Sequence, residues 1–181
     1  MSNKLKVESL RFKVEISDFK ILTLSFKLIM INIYTDGSSR GNPGPGGYGV
    51  VLTYKHHRKE MSEGFRRTTN NRMELMAAIV GMETLKESGK EVTIYSDSKY
   101  VVDSIEKGWL WDWEKKNFKD KKNEDLWRRF IYIYKKHKVK FIWLKGHAGH
   151  PENERCDKMA VAAATGGELK TDFGYESEER N

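Results

Sequence analysis

The sequence contains a single cysteine, Cys156, among its 181 residues. No disulfide can form within the chain, which suits a reducing compartment and points to a cytoplasmic protein held together by its core. No apolar run approaches the roughly 20 residues that a membrane helix needs, so no membrane association is expected. The start of the chain lacks the marks of a targeting segment. Its apolar stretches are broken by Lys20 and Lys27 and no small-residue cleavage site follows, while Glu8, Glu15 and Asp18 interrupt any presequence pattern. Internal repeats are also absent.

What is present is a chain long enough for one proper core, with 38% hydrophobic and 33% charged residues. The net charge of +7 and pI near 9.3 favour a polyanionic partner, because lysine and arginine displace condensed counterions from phosphate backbones. The expected assembly state is a monomer.

The chain is organised around Ile31-Asn32-Ile33-Tyr34-Thr35-Asp36-Gly37-Ser38. Alternating apolar and polar positions rich in β-branched residues predict a strand over 31–38. The glycines and prolines of 41–47 then predict a loop, which leaves Asp36 at a strand end beside backbone that has little side chain to obstruct a ligand. Two further strands over 47–54 and 59–66, joined by the polar turn Lys55-His56-His57-Arg58, complete a meander. Thr68-Thr69-Asn70-Asn71 supplies capping side chains ahead of a periodic helix running to about residue 86. Val92-Thr93-Ile94-Tyr95-Ser96-Asp97 is a strand that again ends in aspartate, and Ser98 opens a helix through Ile105. A helix over 125–137, a strand over 139–144, a loop over 146–153 and a helix over 154–164 follow. Strands followed by strand–helix alternation predict an α/β fold around a mixed sheet, with the ligand site beyond the carboxyl ends of the strands.

Three segments are expected: residues 1–29 as an N-terminal extension, disordered or a start-site artefact, with a short added strand as the alternative; residues 30–165 as the folded domain; and residues 166–181 as a polar, frayed tail.

Four acids stand out. Asp36 and Asp97 end strands, Glu74 lies about one turn into a helix, and Asp157 lies in the last helix. Alone, Glu74 or Asp157 reads equally well as part of a solvated helix face. Clustered carboxylates repel one another unless cations sit among them. Oxygen-only ligands suit Mg²⁺ or Mn²⁺ rather than zinc, and two such ions about 4 Å apart would stabilise both the attacking and the leaving oxygen of a phosphoryl displacement.

Four motifs occur in order: Tyr34-Thr35-Asp36-Gly37-Ser38 with Gly41-Asn42-Pro43-Gly44; Thr69-Asn70-Asn71-Arg72-Met73-Glu74-Leu75; Tyr95-Ser96-Asp97-Ser98; and the run from Lys145 through His147, His150 and Asn153 to Asp157. Together they resemble ribonuclease HI, the bacterial type 1 ribonuclease H, over about residues 30–165. The resemblance implies a ribonuclease H-like five-stranded mixed sheet with helices on both faces. It implies an endonuclease that cuts the RNA strand of an RNA–DNA hybrid with two metal ions, leaving 5′-phosphate and 3′-hydroxyl ends. Asp36, Glu74, Asp97 and Asp157 match the family's metal-binding acids. His147 matches its mobile-loop histidine, thought to assist proton transfer, a task suited to an unperturbed pKa of about 6.5. His150 is the competing choice.

The same resemblance assigns hybrid contacts to Asn42, Asn70 and Asn71, and a DNA-strand phosphate pocket to Arg67, Thr69 and Asn123. The segment from Trp109 to Lys122 interleaves aromatics with lysines, as nucleic-acid surfaces do. It resembles the family's basic protrusion, with Trp109, Trp113, Lys115 and Lys116 as contacts, Glu114 and Asp120 diluting its charge, and Trp111 read as core. Lys99 stands where the family commonly has a polar amide. A non-catalytic hybrid or duplex binder and a DNA-directed nuclease of the same fold are the alternatives. The presence of all four acids argues against the first, and the glycine-rich loop, the Asn-Asn-Arg-Met-Glu segment and the protrusion argue against the second.

Overall fold

The computed structural model describes residues 30–146 and 148–178, so the reading of residues 1–29 and the position of His147 lie outside the described residues. Five strands form one sheet: β1 (Ile31–Ser39), β2 (Gly44–Tyr54), β3 (His57–Thr68), β4 (Glu91–Ser96) and β5 (Lys138–Trp143). Their spatial order is β3-β2-β1-β4-β5. The meander β1-β2-β3 is antiparallel, whereas β4 and β5 join β1 in parallel. This is the mixed sheet expected.

The alternation along β1 and β2 decides what each face carries, since successive side chains of a strand point to opposite faces. Ile33 and Val50 enter the larger core, which packs against α1 (Asn70–Glu83), α2 (Lys99–Glu106), α3 (Trp109–Lys115) and α4 (Glu124–Tyr134). Their neighbours Tyr34 and Val51 face the other way, onto Cys156 and Met159 of α5 (Pro151–Ala164). Helices therefore cover both faces. Burial pushes the Cys156 thiol up from its ordinary pKa, and its sulfur lies 3.2 Å from the Tyr34 carbonyl, so the residue is packing and not a nucleophile.

Two close backbone approaches bring helices to the acidic end of the sheet. A Cβ on Gly37 would stand 2.2 Å from the Glu74 backbone nitrogen, and one on Gly49 would stand 2.1 Å from the Cys156 carbonyl oxygen. Only glycine lets α1 and α5 sit this near to β1 and β2. Ser98 caps α2, its Oγ accepting the Val101 N–H. The start of α1 differs from the sequence expectation. Thr69 is its cap residue but makes no side-chain cap bond, and the Asn70 N–H is instead donated to Asn42 Oδ1 at 3.2 Å. The capping oxygen comes from a remote loop, which local sequence does not reveal. The helix also stops at Glu83, short of residue 86.

Residues 166–178 depart from the expectation of a frayed tail. Lys170 pairs with Phe65 beside β3, and α6 (Phe173–Glu178) follows. Asp172, 3% exposed, accepts two bonds from the fully buried Arg72 guanidinium and one from the Thr68 hydroxyl. Arg72 also forms a bidentate pair with Asp125 at the start of α4. Arg66 binds Glu176 through two further bonds, and Lys170 pairs with Glu63. A buried arginine shared between two carboxylates leaves a large uncompensated charge if one partner is removed. Asp172→Ala is therefore expected to destabilise the protein by about 3–5 kcal/mol in chemical denaturation; a loss within about 0.5 kcal/mol, typical of exposed positions, would contradict this packing.

Candidate active site

Asp36 sits three residues from the end of β1, opposite Gly49. Thr35 is in register with Ser96, the last residue of β4, so Asp97 emerges beside Asp36 at the same end of adjacent parallel strands. Glu74, delivered by α1 over Gly37, completes a group in which one carboxylate oxygen from each of the three residues lies within 4.8 Å of those of the other two. Asp36 and Glu74 are buried and Asp97 is half-buried. Asp157, on α5, lies outside this tightest group but close enough for its charge to act on Asp36.

The electrostatics follow from that crowding. Burial, followed by the charge of Asp97 and then that of Asp157, pushes the Asp36 carboxyl up to about 8, against the opposing effect of the Gly37 N–H that it accepts at 2.8 Å. Burial and then the charges of Asp36 and Asp97 hold Glu74 well above the carboxylate range, although Asn70 Nδ2 donates to its Oε1 at 3.3 Å. Glu74 Oε2 and Asp97 Oδ1 are buried with no hydrogen-bond partner among the described residues. Buried polar atoms are almost always satisfied, so two orphaned oxygens within one three-acid cluster match a hard divalent cation. All the donors are oxygen, which fits Mg²⁺ and not a thiolate or imidazole metal.

Asn153 was missed by sequence reading as a site residue. It is buried on α5 and donates from Nδ2 to Asp97 Oδ2 at 3.2 Å, orienting that carboxylate. Nothing local marks it, because an asparagine near a helix start usually reads as a cap. His150 is the N-cap residue of α5 and makes no side-chain cap bond.

Beside the acids lies a cleft of about 600 Å³ that gathers some of the expected substrate residues and leaves others out. Asn42, Thr69, Asn71, Trp113 and Asn123 line it. Arg67, Asn70, Trp109, Lys115 and Lys116 do not. The Asn70 side chain turns to Glu74, and Lys115 pairs with Asp112 on the surface. Trp109 is 44% exposed with the Lys107 ammonium 5.0 Å from its ring centroid. Trp113 is half-buried, edge-on to the core residue Trp127, and carries Lys121 over its ring. Trp111 packs on Tyr134, as the core reading expected. Lys99 lies over Trp143. Asn123 adopts the left-handed conformation that asparagine tolerates, and it donates to the Tyr100 hydroxyl at 3.0 Å. Tyr100, Lys121 and Lys122 also line the cleft, unforeseen as individual contacts.

A family model described as RNase H matches residues 30–165. Ribonuclease H of Desulforamulus reducens is 61% identical over 139 residues, covering 74% of this chain and 87% of that protein. Ribonuclease H of Rippkaea orientalis is 55% identical over 150 residues, covering 80% and 91%. Among solved structures, LC9-RNase H1, described as a type 1 RNase H with the type 2 active-site motif, superposes with a TM-score of 0.68 at 31% identity, covering 84% of this chain and 82% of that one. LC11-RNase H1 in complex with RNA/DNA hybrid gives 0.59 at 29% identity, covering 74% and 96%.

The raised carboxyl of Asp36 sets a pH dependence. An acid whose folded pKa lies above its unfolded value of about 4 keeps its proton in the folded state where the unfolded chain has released it, so stability falls as pH rises from about 4 through 8. Asp36→Asn removes this liability. In chelator, its melting temperature is expected to exceed that of the wild type by roughly 3 °C or more at about pH 9, with the gap closing at about pH 4. A gap independent of pH would contradict the assignment.

Proposed function

The chain belongs to the ribonuclease H family, and on that premise we infer that it hydrolyses the RNA strand of RNA–DNA hybrids at the cluster formed by Asp36, Glu74 and Asp97, with Asp157 beside them. The observation that carries this reading is the pair of orphaned carboxylate oxygens inside a buried three-acid group. Two Mg²⁺ ions, or Mn²⁺ in their place, would when bound neutralise charge on the attacking and leaving oxygens of the scissile phosphodiester, leaving 5′-phosphate and 3′-hydroxyl ends.

The protein's own groups do the rest. Asp36 and Glu74 come from rigid elements whose close approach depends on Gly37, so their carboxylates need little reorganisation to receive cations. Asn153 and Asn70 hold Asp97 and Glu74 by one oxygen each and leave the other free to ligate. His147 is assigned to proton transfer at the water or the leaving oxygen, with His150 in a structural place as the N-cap of α5. Asn42, Thr69, Asn71, Trp113 and Asn123 are assigned to the hybrid through the cleft that they share, and Arg67, Asn70, Trp109, Lys115 and Lys116, which do not line that cleft, are assigned to the hybrid by resemblance alone. A protein tells RNA from DNA by the 2′-hydroxyl in the wide minor groove of an A-like duplex, and the small residues from Gly41 to Gly44 let peptide groups approach it. No described helix is long and apolar enough to cross a membrane. A cytoplasmic monomer is the setting that we assign.

Labelled RNA–DNA, RNA–RNA and DNA–DNA duplexes, each with magnesium or chelator, test the reading. The expected result is cleavage of the RNA strand of the hybrid alone, and only with metal. Asp97→Asn should abolish cleavage while hybrid binding stays measurable, and cleavage by this variant at the wild-type rate would refute the metal assignment. His147→Ala should slow turnover on the order of 100-fold and keep the metal dependence; a larger loss in His150→Ala would move the proton-transfer role to His150.

A further inference from the structure

The C-terminal helix α6 borders the cleft. Tyr175, on α6, forms part of its wall together with Tyr100 and Trp113. The ring is held by its surroundings: the Arg72 guanidinium lies 5.9 Å from its centroid, and Arg72 is itself pinned by Asp172, three residues before the tyrosine, and by Asp125. The Tyr175 N–H is donated to Asp172 Oδ1. A tyrosine placed through a buried ion network loses little freedom when a ligand arrives, which is the condition for a useful contact.

The chemistry of the cleft says what that ligand is. No carboxylate among the described residues lines it, and two lysines, Lys121 and Lys122, give its lining positive charge. The Arg72 charge beneath it is spent on Asp125 and Asp172. The Tyr100 hydroxyl accepts N–H bonds from Asn123 at 3.0 Å and Trp127 at 2.8 Å, which fills both its lone pairs and leaves its proton for an acceptor. An acceptor-rich, anionic ligand with flat or apolar faces meets all of these features, and a sugar–phosphate backbone is such a ligand.

We propose that Tyr175 is a substrate-binding residue, the third aromatic wall of the cleft that receives the DNA strand of the hybrid, and that the Arg72–Asp172 pair positions it. The proposal rests on the hybrid-nuclease reading. It gives the C-terminal segment a part in substrate affinity as well as in stability, while the chemistry at the acids proceeds without it.

The test compares the full-length wild type with Tyr175→Ala, Tyr175→Phe and Phe173→Ala, the last a neighbour on the same helix whose side chain is 80% exposed and lies outside the cleft. KM and kcat are measured on a labelled RNA–DNA hybrid with magnesium, and hybrid affinity by fluorescence anisotropy in chelator. Tyr175→Ala should raise both KM and Kd about five- to tenfold, the usual scale for losing one aromatic contact, with kcat within about twofold. Tyr175→Phe should restore most of the affinity. The salt dependence of binding should not change, since no charge is removed. Unchanged KM and Kd in Tyr175→Ala would overturn the proposal. So would an equal rise in Phe173→Ala, or a fall in kcat at constant KM, because either would mean that the segment acts only by loosening the fold. Failure of the wild type to bind or cut the hybrid would sink the hybrid reading itself, and would be seen before any variant is compared.

Discussion

Three carboxylates crowd together, one oxygen of each within 4.8 Å of those of the other two, and the two buried ones, Asp36 and Glu74, have lost much of their hydration. That is the constraint around which the rest of the fold is arranged. Left to themselves, such groups would move apart or keep their protons. They stay together because each is carried by an element that cannot retreat. Asp36 and Asp97 are fixed by the register of β1 against β4. Glu74 is fixed by a helix whose backbone touches Gly37. The core beneath these elements is large, and its packing holds the acids in a state that divalent cations would relieve.

The surroundings are sorted by charge. Around the acids, asparagines supply neutral donors. Asn70 and Asn153 each satisfy one oxygen of a carboxylate, and an arginine or lysine in either place would compete with a metal for it. Arg72, two residues before Glu74, is buried and turned to Asp125 and Asp172. Exposed lysines gather instead at the far side of the neighbouring cleft, on the segment that leads into α4. An anionic backbone would meet cations along the cleft and bare carboxylates only at the point of reaction, where it needs metal in between.

Much of this was legible in the sequence. The alternating runs up to Asp36 and Asp97 mark two strands, although β1 continues three residues past Asp36, and the register that brings the two acids side by side is seen only in the fold. Glu74 and Asp157 read equally well as a site or a solvated helix face until the resemblance favoured the site, since a helical carboxylate has no local mark that tells the two apart. What could not be read depends on partners far along the chain. Asp172 is about as polar a neighbour to Lys170 and Thr171 as any tail residue, and its burial comes from Arg72, 100 positions away. The cap of α1 comes from Asn42 across a loop, so Thr69 looked sufficient. Trp113 straddles both readings of the tryptophan-rich segment, with one edge on Trp127 in the core and a face in the cleft.

Asp36 and Glu74 hold protons until cations replace them. Calorimetric titration of Mg²⁺ into the protein, repeated in buffers of different ionisation enthalpy, counts the protons released by the cation. At about pH 7, below the raised carboxyl of Asp36 and with Glu74 also held above the carboxylate range, binding should expel about one proton or more per protein, and fewer at about pH 9, where Asp36 has ionised. Cation binding with no proton release at either pH would mean that Asp36 and Glu74 are already ionised without metal, and would contradict the account at its centre.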